Sequence, residues 1–160
     1  TIYNMVEEYK YKELTGKIIG AAMQVHKVLG NGFQEVIYQR ALEIEMPYFG
    51  LNFKREFDMP IFYRDHQIGT RRVDFLVEDV ISVELKAIIN LEDVHLAQAI
   101  NYLEAYNIEV GLLINFGSKS LQVIQLINSK YKKSELWLKQ IKQMAQITFD
   151  SMESVNLWKS

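Results

Sequence analysis

The chain has 160 residues, enough for one domain with a sizeable core, and its 49% hydrophobic and 24% charged residues exclude a disordered polymer. No apolar run approaches the ~20 residues of a membrane span, and the opening TIYNMVEEYKYKE lacks the apolar stretch of a signal peptide. The absence of cysteine excludes disulfides and thiolate metal sites. A cytoplasmic protein with no membrane partner is therefore expected. Three histidines make an imidazole zinc site thin, so a metal here is expected to be hard and oxygen-bound. The net charge of −2 does not advertise a nucleic-acid binder. KR at 54–55, RR at 71–72 and KYKK at 130–133 form local basic runs that also read as solvated faces.

Residues 13–29 place Leu14, Ile18, Ala21, Val25 and Val28 at helical spacing, and Gly30, Asn31 and Gly32 end that helix. A second helix is predicted from Gln34 to Phe49, with Val36, Ile37, Ala41, Leu42 and Ile44 available for packing. The period then changes to two. Phe53, Phe57, Met59, Ile61 and Tyr63 mark a strand, and Pro60 points to an edge. RDHQIGT reads as a turn. Val73, Phe75 and Val77 predict one strand face, and Ile81, Val83, Leu85 and Ala87 another, with a short EDV turn between the two strands. Residues 91–106 are predicted helical, EVGLLINFG a strand buried on both faces, and LQVIQLI a further strand. The tail from Ser129 reads as a C-terminal helix. The order α-α-β-β-β-α-β-β-α describes one domain over 1–160: an α/β (α+β) mixed sheet, a three-strand meander plus crossover helix and further strands, flanked by helices.

The chemistry concentrates on the predicted hairpin. Asp74 and Glu84 each lie on the strand face opposite its apolar neighbours. A turn centred near Asp79 sets them directly across from each other, with Cβ atoms about 5 Å apart. Two carboxylates at that separation repel unless a cation lies between them, and a divalent ion with oxygen ligands fits the gap. Lys86 projects on the same side as Glu84, where an ammonium can hold a water or balance charge on a phosphate. Glu-x-Lys by itself also arises from alternating charges on a solvated strand. Its setting on adjacent strands, with an acidic helix before and a Gln-bearing helix after, favours a phosphodiesterase-like site.

Over about residues 14–127 the chain resembles the GxxExxY proteins, a branch of the PD-(D/E)XK nuclease superfamily with a restriction-endonuclease-like fold. LTGKIIGAAMQVHKVLGNGFQEVIYQRAL resembles the family's opening helices, with Gly32, Glu35 and Tyr38 as the naming motif. RRVDFLVEDVISVELKA resembles its catalytic hairpin, and HLAQAINYLEAYNIEVGLLINFG the following helix and strand. The resemblance implies that Asp74, Glu84 and Glu35 hold Mg2+ or Mn2+ and that Lys86 is the catalytic lysine. It also implies that Gln98 and Tyr102 match the Gln-x-x-x-Tyr motif of RecB-type nucleases. The implied partner is nucleic acid, DNA before RNA, with Arg71 and Arg72 as binding residues. The tail from about 129 to 160 falls outside the resemblance.

Each residue has a plainer reading beside this one. Glu35 also fits a buried acid paired with Arg71 or Arg72, and Tyr38 a core residue with a satisfied hydroxyl. Gln98 and Tyr102 also fit a helix face packed on the sheet. His95 fits a structural residue better than a ligand, and Glu92 and Asp93 fit first-turn acids. Two functions compete with a nuclease: a catalytically silent binding or assembly module, and a hydrolase of a smaller phosphate substrate.

Overall fold

The computed structural model describes residues 2–133 and, beyond them, Gln143, Gln146 and Ile147. Contacts divide the chain into Thr1–Lys130 and Tyr131–Ser160. The expected C-terminal helix lies outside the described residues, and the sheet and its helices belong to the first unit.

Three helices and five strands follow the expected order: α1 (Ile2–Leu29), α2 (Glu35–Glu45), β1 (Phe53–Tyr63), β2 (His66–Val77), β3 (Ile81–Lys86), α3 (Asp93–Ala105), β4 (Val110–Asn115) and β5 (Gln122–Ile127). Helix α1 begins well before residue 13, and α2 ends earlier than its periodicity suggests. Pro47 turns its tail into a short 3-10 segment, Met46–Phe49, closed by Gly50 at φ 71°. The sheet order is β1-β2-β3-β4-β5, antiparallel except for the parallel β3–β4 pair that α3 connects. A mixed sheet between helices is the restriction-endonuclease-like arrangement. The RDHQIGT turn is tighter than expected. Only Arg64 and Asp65 lie between the strands, at φ 45° and 63°, as a two-residue turn requires.

Two layers of side chains cover the sheet. On one face Ile18, Ala21, Ala22 and Val25 of α1 and Tyr38 and Leu42 of α2 pack with Phe75, Val77, Ile81, Val83 and Leu85. On the other, Ala99 and Leu103 of α3 pack with Leu113 and Leu126. Strand β4 is buried throughout, as expected. Some predicted core positions face water instead: Val28, Val36 and Ile44 are exposed. The stripe that α2 buries is Tyr38 and Leu42, one turn apart, with Gln39 beside them. Tyr38 is a core residue with a satisfied hydroxyl. It donates to Gly30 O at 2.6 Å and accepts from Phe33 N at 3.2 Å, while its ring stacks on Phe116 with centroids 4.7 Å apart. It pins the turn between α1 and α2, and that turn sets where α2 begins.

The ends of β3 and β4 are fastened by Asn115, which is fully buried and pairs in register with Lys86. Its Oδ1 accepts from Ile88 N at 3.0 Å and Gly117 N at 3.1 Å, and its Nδ2 donates to Ile88 O at 2.9 Å. Gly117 lies so close to the Ile88 backbone that a Cβ there would overlap it. Backbone cannot retreat as a side-chain tip can. Gly117→Ala is therefore expected to lower stability by about 2 kcal/mol or more, measured by urea unfolding. A loss below about 0.5 kcal/mol would show that the two segments separate without cost.

Candidate active site

The site forms where the sheet splits. Strands β2 and β3 pair only through Phe75↔Val83, Leu76↔Ser82 and Val77↔Ile81. The register points Asp74 at Glu84, but the ladder stops before reaching them. Leu85 N instead donates to Asp74 Oδ2 at 2.8 Å. A carboxylate thus takes the place of a strand carbonyl. On its other side, the β1–β2 register steps over Glu56 and Asp74, and Glu56 has φ 51°. The irregularity also reverses the strand's facing. Phe75 and Val77 belong to the α1 side, whereas Val73 packs with Met59 and Leu76 in a separate cluster. The expectation that Val73 shares a face with Phe75 and Val77 is corrected accordingly, as is that of a direct Asp74–Glu84 pair.

A relay on α2 holds Asp74. Gln39 Nε2 donates to Asp74 Oδ1 at 2.8 Å. Gln39 Oε1 in turn accepts from Arg55 Nε at 3.2 Å and Nη2 at 3.0 Å, and Arg55 Nη1 pairs with Glu43 at 2.8 Å. Two guanidinium donors on the amide oxygen leave the amide nitrogen facing the carboxylate. The sequence reading missed Gln39 and Arg55. Their signal was present: Glu35, Gln39 and Glu43 recur at four-residue spacing, a polar line along a helix whose next face is core.

Glu84 is the most deeply buried acid of the site. Its Oε2 meets Arg71 Nη2 at 3.3 Å, while Oε1 is buried without a hydrogen-bond partner among the described residues. The Arg71 guanidinium carbon lies over the Tyr102 ring, 3.6 Å from its centroid. Burial, and then the charge of Asp74, push the Glu84 pKa up to about 7 against the pull of Arg71 and Lys86. Asp74 is raised by burial, opposed first by the Leu85 N–H and then by Gln39. Glu35, the first residue of α2, has an exposed side chain but reaches far enough inward to feel its surroundings. Desolvation and then the Asp74 charge raise its pKa, and Lys86 and Arg71 oppose them.

The structure thus gathers Asp74, Glu84, Lys86, Arg71 and Glu35 within electrostatic reach, and Tyr102 joins them through Arg71. Arg72 goes elsewhere, forming a two-point pair with Asp58 at 2.8 and 3.1 Å. Adjacent strand residues face opposite ways, so only one of the two arginines can enter the cleft. Gln98 is exposed on α3, one turn before Tyr102. His95 Nδ1 accepts from Glu92 N at 3.0 Å, so it caps α3 rather than serving the cleft.

Among the described residues, no three His, Cys, Asp or Glu side chains are gathered closely enough to hold a metal by themselves. The expected set of Asp74, Glu84 and Glu35 is not assembled as a three-ligand cage. The donor chemistry nevertheless fits a hard divalent cation: two mutually repelling carboxylates, with one buried oxygen left without a partner.

Two outcomes follow from this geometry. Gln39→Leu strands a buried carboxylate oxygen and should cost about 2 kcal/mol of stability by urea unfolding; an effect under about 0.5 kcal/mol would mean that the relay does not hold Asp74. The raised Glu84 pKa makes the folded state bind a proton more tightly than the unfolded state between the ordinary 4.5 and about 7. Stability of the protein in chelator should therefore fall as pH rises through that window, by at most roughly 3 kcal/mol. Glu84→Gln should flatten the slope in thermal melts from pH 5 to 8, and an unchanged slope would assign it to other groups.

A search of the curated proteins found no match, and neither did a search of solved structures. The model of the PD-(D/E)XK nuclease superfamily matches residues 12–126, a span that runs from α1 through β5 and takes in every site residue above. Members of that superfamily generally hydrolyse phosphodiester bonds and typically use divalent metals. The chain belongs to the PD-(D/E)XK nuclease superfamily.

Proposed function

We propose that this chain is a Mg2+- or Mn2+-dependent nuclease of the GxxExxY type, acting on nucleic acid with DNA as the first substrate to test. The observation that carries the reading is the split sheet itself. Asp74, Glu84 and Lys86 lie within electrostatic reach of one another at its opening, and the buried Glu84 Oε1 lacks a partner among the described residues.

On this reading Asp74 and Glu84, with Glu35, would hold the cation. Mg2+ or Mn2+ supplies Lewis-acid polarisation of the scissile phosphate and lowers the pKa of a water. Lys86, anchored at the end of β3 opposite Asn115, orients the attacking water and balances charge as the phosphorane forms. Water forms one P–O bond as the leaving oxygen breaks another, and solvent protonates the leaving group. Gln39 keeps the Asp74 oxygens aimed while Leu85 N–H holds the second one. Tyr102 would serve the α3 side of the cleft through Arg71, and Gln98, one turn before it, would join it there.

The test is cleavage of single-stranded DNA, double-stranded DNA and RNA with Mg2+, with Mn2+ and with chelator. Turnover is expected only with a divalent ion. Lys86→Ala should reduce it by at least ~100-fold while metal affinity holds or tightens, because a positive charge beside the ion is removed. Asp74→Ala should lose both. Cleavage in chelator, or full activity in Lys86→Ala, overturns the assignment. A parent protein inert on every polymer, yet active on nucleotides, identifies a small-phosphate hydrolase. Inertness on both identifies a binding module.

A further inference from the structure

Arg71 and Glu84 form an ion pair that satisfies neither partner. The pair has a single contact at 3.3 Å, long for a charge-assisted bond, where a guanidinium and a carboxylate can make two parallel short ones. Glu84 Oε1 and Arg71 Nε are both buried and both lack hydrogen-bond partners among the described residues. Glu84 presents only 9% of its side chain to solvent and Arg71 30%, so the pair runs from the interior toward the cleft mouth. One buried oxygen awaits a cation, and one buried N–H awaits an anion.

The mounting of Arg71 allows it to leave. Its strand is bonded to β3 only from Phe75 onward, so at Arg71 β2 pairs with β1 alone, opposite Met59. The guanidinium carbon lies over the Tyr102 ring, and a ring face offers no directional bond to break when the group moves. Charge favours the exchange as well. Glu35, Asp74 and Glu84 face Arg71 and Lys86, so the ionised cleft carries a net −1. Binding of one divalent ion turns that into a net +1, which attracts an anion instead of a cation.

We propose that Arg71 works in two positions: as the counter-ion of Glu84 in the metal-free site, and, once Glu84 is given over to a divalent cation, as a ligand of a substrate phosphate, turning on the Tyr102 ring between the two. The inference rests on the nuclease reading above. It adds that metal must bind before nucleic acid, and that the same arginine opposes the first step and serves the second.

The experiment separates the two steps without turnover. Mn2+ affinity is measured by titration calorimetry on the full chain. Affinity for a single-stranded oligodeoxynucleotide is measured by fluorescence anisotropy in Ca2+ and in chelator. Arg71→Met removes the competitor for Glu84 and should tighten Mn2+ binding by about tenfold, while oligonucleotide binding in Ca2+ weakens by at least as much. Arg71→Lys, which keeps the charge but loses the fork and the stack, should show near-parental Mn2+ affinity and weakened oligonucleotide binding. Tyr102→Leu should weaken the oligonucleotide more than it changes Mn2+ affinity. Parental protein should bind the oligonucleotide more tightly in Ca2+ than in chelator. A purely structural Arg71 predicts that Arg71→Met weakens both ligands together, and that result overturns the proposal. Equal oligonucleotide affinity with and without Ca2+ overturns it too, while leaving the nuclease reading intact. A parental protein that binds no Mn2+ at all defeats both.

Discussion

The hydrogen bond from Leu85 N to Asp74 Oδ2 is the constraint on which the rest of the cleft depends. An antiparallel ladder that continued past Phe75↔Val83 would leave no room between β2 and β3. Ending it early creates an opening, but leaves a buried backbone donor that must be satisfied. Asp74 satisfies it with a side chain, so one carboxylate both closes the sheet's torn edge and supplies the site's first charge. The distortion continues into β1, where Glu56 takes a left-handed conformation that costs a non-glycine residue about 1–2 kcal/mol. In exchange, β2 changes the face it presents, and a single strand contributes Phe75 to the α1 side and Val73 to a cluster with Leu76 and Met59.

Burying Glu84 beside Asp74 is unfavourable, and the surrounding frame holds the arrangement rigidly enough to keep it. Tyr38 stacked on Phe116 ties the start of α2 to the residue after β4. Asn115, the residue paired with Lys86, ties the end of β4 to Ile88 and Gly117, and Ser118 Oγ also donates to Ile89 O. The relay from Glu43 through Arg55 and Gln39 brings α2 against Asp74. These contacts surround the acids from the α2 and β4 sides. Among the described residues only Arg71 bonds the Glu84 carboxylate, and it does so through one long bond.

The periodicities reveal the elements because burial imposes them. The two-residue alternation of Ile81, Val83 and Leu85 and the unbroken apolar run of β4 survive intact. What the sequence hides is where alternation breaks. Val73, Phe75 and Val77 look like one face, and no local residue announces that the strand turns over at Asp74. Gln39 is hidden for a different reason. A glutamine in a helix is ordinary, and only its place between Glu35 and Glu43, with Arg55 arriving from a strand, gives it a role. The RR pair is ambiguous until the register is known: Arg71 lies opposite Met59 and Arg72 opposite Asp58. One partner is apolar and leaves Arg71 to the cleft, whereas the other captures Arg72. The same geometry explains why Tyr102 reaches the site by carrying Arg71.

Four cations of the basic runs prominent in the sequence are already paired with carboxylates. Lys54 pairs with Asp79 at 2.9 Å, Arg55 with Glu43 at 2.8 Å, Arg72 with Asp58 at 2.8 Å and Lys130 with Glu104 at 3.1 Å. Cations already matched to carboxylates release few counterions when a polyanion approaches. On the nuclease reading, attraction is therefore concentrated in the cleft, where it depends on the charge state of the acids themselves. A net-acidic protein can then handle a polyanion without a basic surface, provided that the cleft changes sign before the substrate arrives. The unsatisfied Glu84 Oε1 and Arg71 Nε are the atoms through which that reversal would act. On the same reading, a cleft that stays acidic until it is loaded would repel nucleic acid before the cation binds.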